Sequence, residues 1–516
     1  MRKIFYFLAV ISIVSLAACK KDKPGGGDNN TDDGSGPPAT GTVLDKLRDS
    51  VYLYPKETYL WYNQLPSYKN FQPRNYVSAD TITGLNNEVD KLSQYAINPA
   101  TKKPYEDYFG SGTAKYSFID DGAVSNELGG NGGDFGFSVF YPTDPDLRVK
   151  YVYPGSPAAS AGIKRGYKIT KINGRTDLTY DNGGSTTQFV INAYANSKTI
   201  SMTLTKYDGN SIDVTLNTAK YTINPVITYK TFAVSVGVSS ITAGYMVFNS
   251  FTDKTNAGPK LLEAITSFTS SSHISELIVD LRYNGGGSVE TAEYLDNLLV
   301  PSLRNGTKMY TAYFNDKLTT DKYTLFKNRY DIPNGFFSVN NQSVPFQKEG
   351  SLNLARIFFI VGSGTASASE LTINNLIPQM DVELIGSQTY GKPVGFYGID
   401  INKYQLYMPM FSTRNSANKG DYYDGMTPGK DGYKGIAADD DLTKDFGDPT
   451  EGLLSQALYY IANGKYKTTS TQTQSFASSS KNLMTTEQKR AMAQKFDQSK
   501  IKGLMLKTPA VFKKKK

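Results

Sequence analysis

The feature that most constrains the fold is an alternation of strand-like and helix-like segments that begins near residue 225. Short apolar runs such as "GYMVFNSF" and "ARIFFIV" are typical of strands, and amphipathic runs such as "AGPKLLEAITSFTSS" and "SVETAEYLDNLL" are typical of helices. Strands that alternate with helices predict an α/β layer whose functional groups lie in the loops at strand ends. The sequence therefore predicts one α/β unit over residues 225–465.

Two regions with other patterns precede this unit. Residues 43–120 are helical in pattern and rich in aromatic side chains, whereas residues 121–224 contain short strands and glycine-rich turns. Trp61, the only tryptophan, lies among several tyrosines in the first of these regions. Such a cluster could be a platform for sugars or peptides, but packing is its commoner role. We therefore predict that Trp61 is a core residue.

The start of the chain resembles an export signal. Arg2 and Lys3 precede an apolar stretch, and small residues precede Cys19, the single cysteine. The sequence "LAAC" resembles a bacterial lipobox, in which the cysteine is lipidated; an ordinary signal peptide with an incidental cysteine is the alternative. We expect a signal over residues 1–18, a flexible tether over residues 19–42, and a membrane anchor in the bacterial cell envelope, periplasmic or on the outer surface.

The positive charge of the chain is unevenly distributed. The formal net charge is +8, and the excess of Lys and Arg is concentrated in residues 481–516. We interpret residues 466–516 as a polar, basic tail. Such a tail is usually solvated, and contact with nucleic acid is implausible for an exported protein. No nucleic-acid partner is therefore predicted.

The scarcity of histidine and cysteine argues against several kinds of catalytic site. The only histidine, His273, lies in a polar stretch before a strand, at the end opposite that strand's glycine loop, which disfavours a Ser–His–Asp triad. A zinc site built from His and Cys ligands would need more of both residues. We expect His273 to be a surface residue, and we predict neither a metal nor any other cofactor.

A serine activated by a neutral lysine fits the sequence, because burial can lower a lysine pKa by several units. Ser367 lies in the first turn of the helix predicted after "ARIFFIV", and Lys392 follows the next strand. Free N–H groups at a helix start favour negative charge, so the Ala368 N–H is a candidate oxyanion donor. If the two strands are neighbours, the loop "DLRYNGGG" can add donors. The candidates there are Gly286 and Gly287.

The motifs "TASASE", "TYGKP" and "DLRYNGGG" resemble those of the S41 family of serine peptidases, which comprises the C-terminal processing or tail-specific proteases and their relatives. The resemblance covers roughly residues 43–462. It implies a ClpP/crotonase-like α/β peptidase core with an inserted PDZ-like β-rich domain and an N-terminal helical region. It also implies that Ser367 is the nucleophile, Lys392 the base, and that Ala368 and a loop glycine supply the oxyanion hole.

One position departs from the family pattern. C-terminal processing members often carry a Gln four residues after the lysine, which orients the amine; here that position is Phe396, and Pro393 follows Lys392 directly. Another group must then hold the amine, and Glu370 is the candidate. The alternative is that Glu370 only interacts favourably with the helix dipole.

Residues 121–224 resemble a PDZ domain in the stretches "FGFSV" and "GSPAASAGIKRGYKITKING", although Tyr167 stands where that family usually has Asp. The resemblance implies a loop whose N–H groups capture a polypeptide C-terminus and a strand edge that adds a peptide strand. The implied peptide-binding residues are Phe135, Gly136, Phe137 and Ser138. A β-rich domain that only packs on its neighbour is the alternative.

These observations predict a membrane-anchored serine endopeptidase with a Ser–Lys dyad that cleaves exported proteins or peptides. The alternative is a non-catalytic, peptide-binding envelope lipoprotein with a peptidase-like fold. The spacing Gly362-x-Gly364-x-x-Ser367 is also close to a dinucleotide fingerprint. However, the acid expected after it, Glu383, begins a strand rather than ending one, so we disfavour a nucleotide-dependent enzyme.

Overall fold

The computed structural model describes residues 36–271, 273–467, 492, 495–497, 499–501 and 503–508. The predicted export signal, Cys19, most of the predicted tether and most of the basic tail lie outside these residues. None of the helices in the described part of the chain combines the length and the apolar character that a membrane span requires.

The first described elements are helices that pack into the main core of the molecule. Helix α1 begins after Thr42, whose side chain accepts a hydrogen bond from the Asp45 N–H while the Asp45 carboxylate accepts one from the Thr42 N–H. Trp61 is 9% exposed and stacks on Tyr105 with ring centroids 4.1 Å apart, which confirms its predicted packing role. The elements are α1 Val43–Thr58, α2 Tyr68–Phe71, α3 Thr81–Ser93 and strand β1 Phe118–Asp120.

A β-rich unit follows, with an apolar cluster of its own. Its five-stranded antiparallel sheet has the order β3-β4-β5-β6-β7. The alternating burial along β6 shows that one face of this sheet covers the cluster. The elements are α4 Ala123–Leu128, β2 Asn131–Gly132, β3 Phe137–Thr143, β4 Asp146–Val152, α5 Pro157–Ser160, β5 Lys168–Ile172, α6 Ser185–Ile191, β6 Thr199–Thr205, β7 Ser211–Asn217 and β8 Tyr221–Thr222.

The remaining chain forms the predicted α/β unit, built on a six-stranded sheet with the order β21-β16-β15-β11-β10-β9. Its elements are β9 Val226–Val236, β10 Ser239–Phe248, α7 Lys254–Thr266, β11 Glu276–Asp280, β12 Gly286–Ser288, α8 Val289–Leu299, β13 Lys308–Phe314, α9 Asp316–Thr319, α10 Thr324–Arg329, β14 Ser343–Pro345, β15 Arg356–Val361, α11 Ala368–Leu376, β16 Asp381–Gly386, β17 Val394–Gly395, β18 Ile399–Ile401, β19 Tyr404–Tyr407, β20 Phe411–Asn415, β21 Gly435–Ala437 and α12 Gly452–Asn463. The mixed α/β fold class predicted from the sequence is thereby confirmed.

The central strands of this sheet are covered on both faces. In β15, Ile357 and Phe359 belong to the main apolar cluster, whereas Phe358 and Ile360 belong to a second cluster on the other face that includes residues of α12. This is the period of two that a strand imposes. Burial on both faces explains why β15 is an uninterrupted apolar run, as is typical of parallel strands.

Strands β10, β11, β15, β16 and β21 run parallel, so the loops that follow them open at one edge of the sheet. Strand β11 is the direct neighbour of β15, and β15 is the direct neighbour of β16. The glycine loop after β11, the serine loop after β15 and the lysine loop after β16 are therefore adjacent. The neighbour relation on which the predicted oxyanion donors depended is present.

Smaller sheets surround this edge. A four-stranded sheet has the order β14-β13-β20-β17, and a three-stranded sheet has the order β1-β19-β18. The glycine strand β12 pairs in parallel with a short strand from late in the chain, β22 Leu504–Leu506. The site at the open edge is thus built from sequence positions that are several hundred residues apart.

Candidate active site

Ser367 lies at a sharp turn between β15 and α11, one residue before the helix begins rather than in its first turn. Its backbone has φ 61° and ψ −109°, a conformation that costs a non-glycine residue on the order of 1–3 kcal/mol. The side chain is fully buried, and its Oγ has no hydrogen-bond partner among the described residues. A hydroxyl held this way is available for a proton acceptor and for a substrate carbonyl.

The carboxylate of Glu370 joins the serine loop to the lysine loop. Its Oε2 accepts the backbone N–H of Ser367 at 2.8 Å and that of Lys392 at 2.9 Å. Its Oε1 accepts the Gly391 N–H at 2.7 Å and the Thr389 hydroxyl at 2.5 Å. Burial raises the pKa of Glu370, and these four donated hydrogen bonds oppose that rise. Because one oxygen holds both backbones, Glu370 fixes the position of Ser367 relative to Lys392.

The amine of Lys392 lies in an apolar enclosure. Its side chain is 1% exposed, and Nζ is 3.8 Å from the ring centroid of Phe396 and 5.3 Å from that of Tyr116. Burial lowers the pKa of Lys392 well below its ordinary value of 10.5, although the carboxylates of Glu106 and Glu370 oppose this. The surroundings thus favour the neutral amine, which is the form that can accept a proton.

The hydrogen bond of this amine is to a carbonyl from late in the chain. Nζ of Lys392 donates to the Gly503 carbonyl, not to Ser367 Oγ. Glu370 contacts the backbone N–H of Lys392, and the ring of Phe396 occupies the space beside the amine. The serine and lysine predicted from the sequence are therefore brought together through Glu370, without a direct hydrogen bond between them.

The two candidate glycines occupy different places. A Cβ at Gly286 would lie 3.0 Å from the Ala368 nitrogen and 2.9 Å from the Ala366 carbonyl, so Gly286 adjoins the start of α11. A Cβ at Gly287 would lie 2.0 Å from the Phe251 carbonyl oxygen. Gly286 is therefore the residue next to the Ala368 N–H, whereas Gly287 packs against the β10–α7 loop.

Three further residues shape the site and were not singled out from the sequence. The Asn284 carbonyl accepts the Ala366 N–H at 3.0 Å and the Ser369 hydroxyl at 2.9 Å, which ties the glycine loop to the serine loop. The Thr389 hydroxyl binds Glu370. The Tyr116 hydroxyl donates to the Gly391 carbonyl at 2.7 Å. The place of Asn284 inside "DLRYNGGG" was a usable signal, whereas no pattern marks Tyr116.

The residues of the predicted carboxylate-binding loop lie at the start of β3, away from Ser367 in sequence. The Gly136 N–H donates to Asp134 Oδ1 at 2.7 Å, and the Gly136 carbonyl accepts the Tyr153 N–H at 2.8 Å. Phe135 and Phe137 are buried in the cluster of the β-rich unit, and Ser138 Oγ is buried without a hydrogen-bond partner in the described chain. Peptide capture by this loop stays a prediction.

His273 is exposed and lies before β11, at the end opposite the glycine loop, as predicted. Among the described residues, no cluster of three or more His, Cys, Asp or Glu side chains is arranged to hold a metal ion. The polar groups gathered at the open edge of the sheet are instead a hydroxyl, an amine, a carboxylate and backbone N–H groups.

The fold and these groups together define a class of protein: an α/β protein with a strained serine just before a helix and a buried lysine on the adjacent loop. Residues 242–416 match the family model "Peptidase family S41". This stretch of the chain is therefore similar to the S41 peptidases, as the sequence motifs predicted.

Two relatives illustrate the similarity. The chain is 25% identical over 309 residues to the "Probable CtpA-like serine protease" of Staphylococcus aureus strain N315. The aligned region covers 59% of this chain and 52% of that protein. The chain thus spans about half the length of the curated relatives it matches. A crystal structure from Bacteroides fragilis NCTC 9343, assigned to the S41 proteases, aligns with TM-score 0.55 and 23% identity, covering 80% of this chain and 97% of that one. This likeness shows a shared fold.

Proposed function

We propose that the protein is a serine peptidase that cleaves polypeptides by a Ser–Lys dyad. The observation that carries this proposal is the carboxylate of Glu370, which binds the backbone N–H groups of both Ser367 and Lys392 and so fixes the two backbones next to each other. The Ser367 hydroxyl has no hydrogen-bond partner among the described residues. The lowered pKa of the buried amine supports the same role, because a base must be neutral at working pH.

The proposed reaction follows from these positions. Ser367 Oγ attacks a peptide carbonyl carbon while Lys392 Nζ takes the hydroxyl proton, and the carbonyl oxygen becomes an anion. The Ala368 N–H and a donor of the adjoining Gly286 loop stabilise that anion. The C–N bond then breaks, the lysine returns the proton to the leaving amine, and an acyl-enzyme remains. Water, deprotonated by the same lysine, hydrolyses the ester and regenerates Ser367.

The dyad requires one movement. The amine of Lys392 must exchange its hydrogen bond to the Gly503 carbonyl for one to Ser367 Oγ. In this proposal the lysine makes the change by rotation about its flexible stem, while Glu370 holds the backbone.

The test compares the full chain with its Ser367→Ala and Lys392→Ala variants on an unfolded reporter protein, and follows Ser367 with a serine-directed fluorophosphonate. We expect cleavage and labelling to be lost with Ser367→Ala and to fall by about 10²–10⁴-fold with Lys392→Ala. Ser363→Ala is the matched control, because it removes a hydroxyl from the same loop and should leave both rates unchanged. Equal, slow cleavage by all four proteins would instead support the non-catalytic binding protein.

The β-rich unit is proposed to deliver substrates by their C-termini. Support comes from its antiparallel sheet with α5 and α6 and from the glycine turn at Gly136, directly before β3. The proposal is tested by the affinity of Ser367→Ala for a peptide with a free C-terminal carboxylate and for the same peptide amidated. Equal affinities would reject capture by the carboxylate.

We also propose that the protein is anchored in the bacterial cell envelope through lipidated Cys19. The support is the basic, apolar and small-residue pattern that ends in "LAAC". Growth with an alkyne-tagged fatty acid should label the wild-type protein and not Cys19→Ser. An unlabelled wild-type protein released into the soluble fraction would show that an ordinary signal peptide is present instead.

A further inference from the structure

Residues from late in the chain lie inside the candidate active site. The Gly503 carbonyl accepts the Lys392 amine, and the Gly503 N–H donates to the Gly285 carbonyl at 2.6 Å. The strand Leu504–Leu506 then pairs in parallel with Gly286–Ser288. A Cβ at Gly286 would lie 2.5 Å from the Leu504 carbonyl oxygen as well as 3.0 Å from the Ala368 nitrogen. The segment therefore runs beside the proposed oxyanion donors.

The same residues are also held on their other edge. The Phe396 N–H donates to the Met505 carbonyl at 2.9 Å, and the Lys507 N–H donates to the Phe396 carbonyl at 3.1 Å. The side chains of Leu504 and Met505 are fully buried. A strand that is hydrogen-bonded along both edges, with its side chains in apolar surroundings, has the geometry in which clefts bind extended polypeptides.

Preceding residues attach to the β-rich unit. The buried ring of Phe496 lies 5.6 Å from that of Tyr141 and stacks on that of Tyr194 at 6.1 Å. Between this contact and the cleft, Ser499 Oγ and the Lys500 N–H each donate to the Glu127 carboxylate at 2.5 Å. The segment is thus held at two places on the β-rich unit, through Phe496 and at Glu127, and again in the cleft.

We propose that the described residues between Lys495 and Lys507, here called the cleft segment, are an internal ligand that occupies the substrate cleft and blocks it until they are displaced. This inference rests on the proposed peptidase function. Displacement would have two consequences: the edges of β12 and Phe396 become free to bind another strand, and the Lys392 amine is released from the Gly503 carbonyl to meet Ser367 Oγ.

The contacts of the cleft segment also indicate which polypeptides compete for the cleft. Three apolar residues, Leu504–Leu506, precede Lys507, whose Nζ lies 3.3 Å from Glu293 Oε1 and 3.1 Å from the Tyr310 hydroxyl. Lys507 also lines a cavity of about 350 Å³ whose other lining residues include the acidic Asp253, Glu290 and Asp400. The cleft therefore suits extended segments in which an apolar run is followed by a lysine or arginine.

A first experiment does not depend on catalysis. In full-length Ser367→Ala, hydrogen exchange of the Phe396 amide reports the bond to the Met505 carbonyl. Adding Met505→Asp, which buries a charge if the strand stays in place, should speed that exchange by at least about tenfold. Adding Lys500→Gln instead, which changes net charge equally at an exposed position, should not. The same exchange rate in all three proteins would overturn the inference.

An added peptide separates displacement from misfolding. The synthetic peptide SKIKGLMLKT, residues 499–508, should restore slow exchange at Phe396 in the Met505→Asp protein, and the same peptide with glutamate for Lys507 should restore it less well. If the first peptide fails to protect Phe396 at saturating concentration, the cleft is not a binding site for this segment, and the inference is wrong.

A second experiment uses the active serine. Met505→Asp should increase fluorophosphonate labelling of Ser367 and cleavage of an unfolded reporter by about tenfold or more over wild type, and Lys500→Gln should match wild type. Equal cleavage by all three would reject the block while the peptidase proposal stands. If none of them labels or cleaves, but Phe396 exchange responds as expected, the peptidase proposal fails and the internal ligand stands.

Discussion

Burial opposes the charge of the Lys392 amine. The side chain is 1% exposed and lies against the rings of Phe396 and Tyr116, and the Glu370 oxygens accept backbone N–H groups rather than the amine. A solvated lysine at this position would be protonated and useless as a base, whereas the buried one has its pKa shifted in the direction that the chemistry needs.

This shift predicts the pH dependence of acylation. Below the lowered pKa the amine of Lys392 holds its proton and cannot accept another, so kcat/KM should rise with pH and level off before the ordinary lysine value of 10.5. The measurement is kcat/KM, or the rate of fluorophosphonate labelling, between about pH 6 and 10. A rate that falls as pH rises over this range would contradict a neutral-lysine base.

The same shift predicts that Lys392→Met is inactive but more stable. The folded protein gives up the proton of Lys392 at lower pH than the unfolded chain does, so at neutral pH the buried amine lowers the free energy of unfolding, and stability from this group increases with pH. Methionine fills similar space without that cost. We expect the Tm of Lys392→Met to be higher than that of wild type at pH 7, and the difference between the two Tm values to narrow as pH rises. A lower Tm for Lys392→Met at pH 7 would contradict this.

Glu370 should act on position rather than on the proton transfer. Glu370→Gln replaces one acceptor oxygen with an NH₂ group that faces N–H donors, leaving buried groups unsatisfied at about 1–3 kcal/mol each. We expect a clear loss of stability and of kcat, and an apparent pKa of the pH profile that moves downward, because the Glu370 carboxylate raises the pKa of the buried lysine. Glu263→Gln, the same change at an exposed position on α7, is the control. A pH profile that moves to higher pH, or an unchanged stability, would contradict this role of Glu370.

The glycine strand β12 lies between two chain segments, the start of α11 and the strand Leu504–Leu506, and no side chain separates it from either. Gly286 has φ 101°, and any Cβ there meets the Leu504 and Ala366 carbonyl oxygens and the Ala368 nitrogen. The junction between this loop and α11 can present N–H groups to a substrate only if the residue at position 286 has no side chain.

Gly286→Ala should therefore abolish the proposed peptidase activity, with a loss of at least about 10²-fold, since it displaces the donors next to Ser367. Gly133→Ala is the control, because nothing lies within 4 Å of a Cβ there and its φ is unrestricted. Both proteins are compared by kcat/KM on one peptide and by Tm. Full activity in the folded Gly286→Ala protein would remove this loop from the oxyanion site.

The β-rich unit and the α/β unit are joined by a buried ionic network. Arg165 of the first and Arg282 of the second both contact Asp440 Oδ1, at 2.7 and 2.6 Å, and Arg282 also contacts Glu451 and Asp280, each at 2.7 Å. Arg282 follows β11 in the glycine motif, so the network connects the unit predicted to bind peptides with the loop that adjoins Ser367.

Removing the shared acid should destabilise the whole molecule. Burial disfavours the charge of Asp440, but Arg165 and Arg282 outweigh this and lower its pKa. Asp440→Asn removes the carboxylate that two buried guanidinium groups share, which should lower the free energy of unfolding by about 3 kcal/mol. The stabilisation by the Asp440 carboxylate is fully present above the ordinary pKa of 3.8 and is lost as pH falls. The difference in unfolding free energy between wild type and Asp440→Asn should therefore shrink in acid. Asp421→Asn, in an exposed pair, should change stability by less than about 1 kcal/mol.

The sequence by itself determined the α/β class, the buried strand β15, and the placement of Ser367, Ala368 and Lys392 at strand ends, because hydrophobic periodicity and short motifs are local properties of the chain. It also indicated that Trp61 packs and that His273 does not take part. These predictions needed no knowledge of which strands are neighbours.

Only the tertiary structure decided what joins those groups. That Glu370 holds both loops by backbone N–H groups, that Gly286 rather than Gly287 adjoins Ala368, that Tyr116 encloses the amine, and that Gly503 binds it all depend on contacts between residues far apart in sequence. The physical reason is that a backbone N–H or carbonyl is the same in every residue, so its partner is set by the packing of whole elements and leaves no mark in the local pattern.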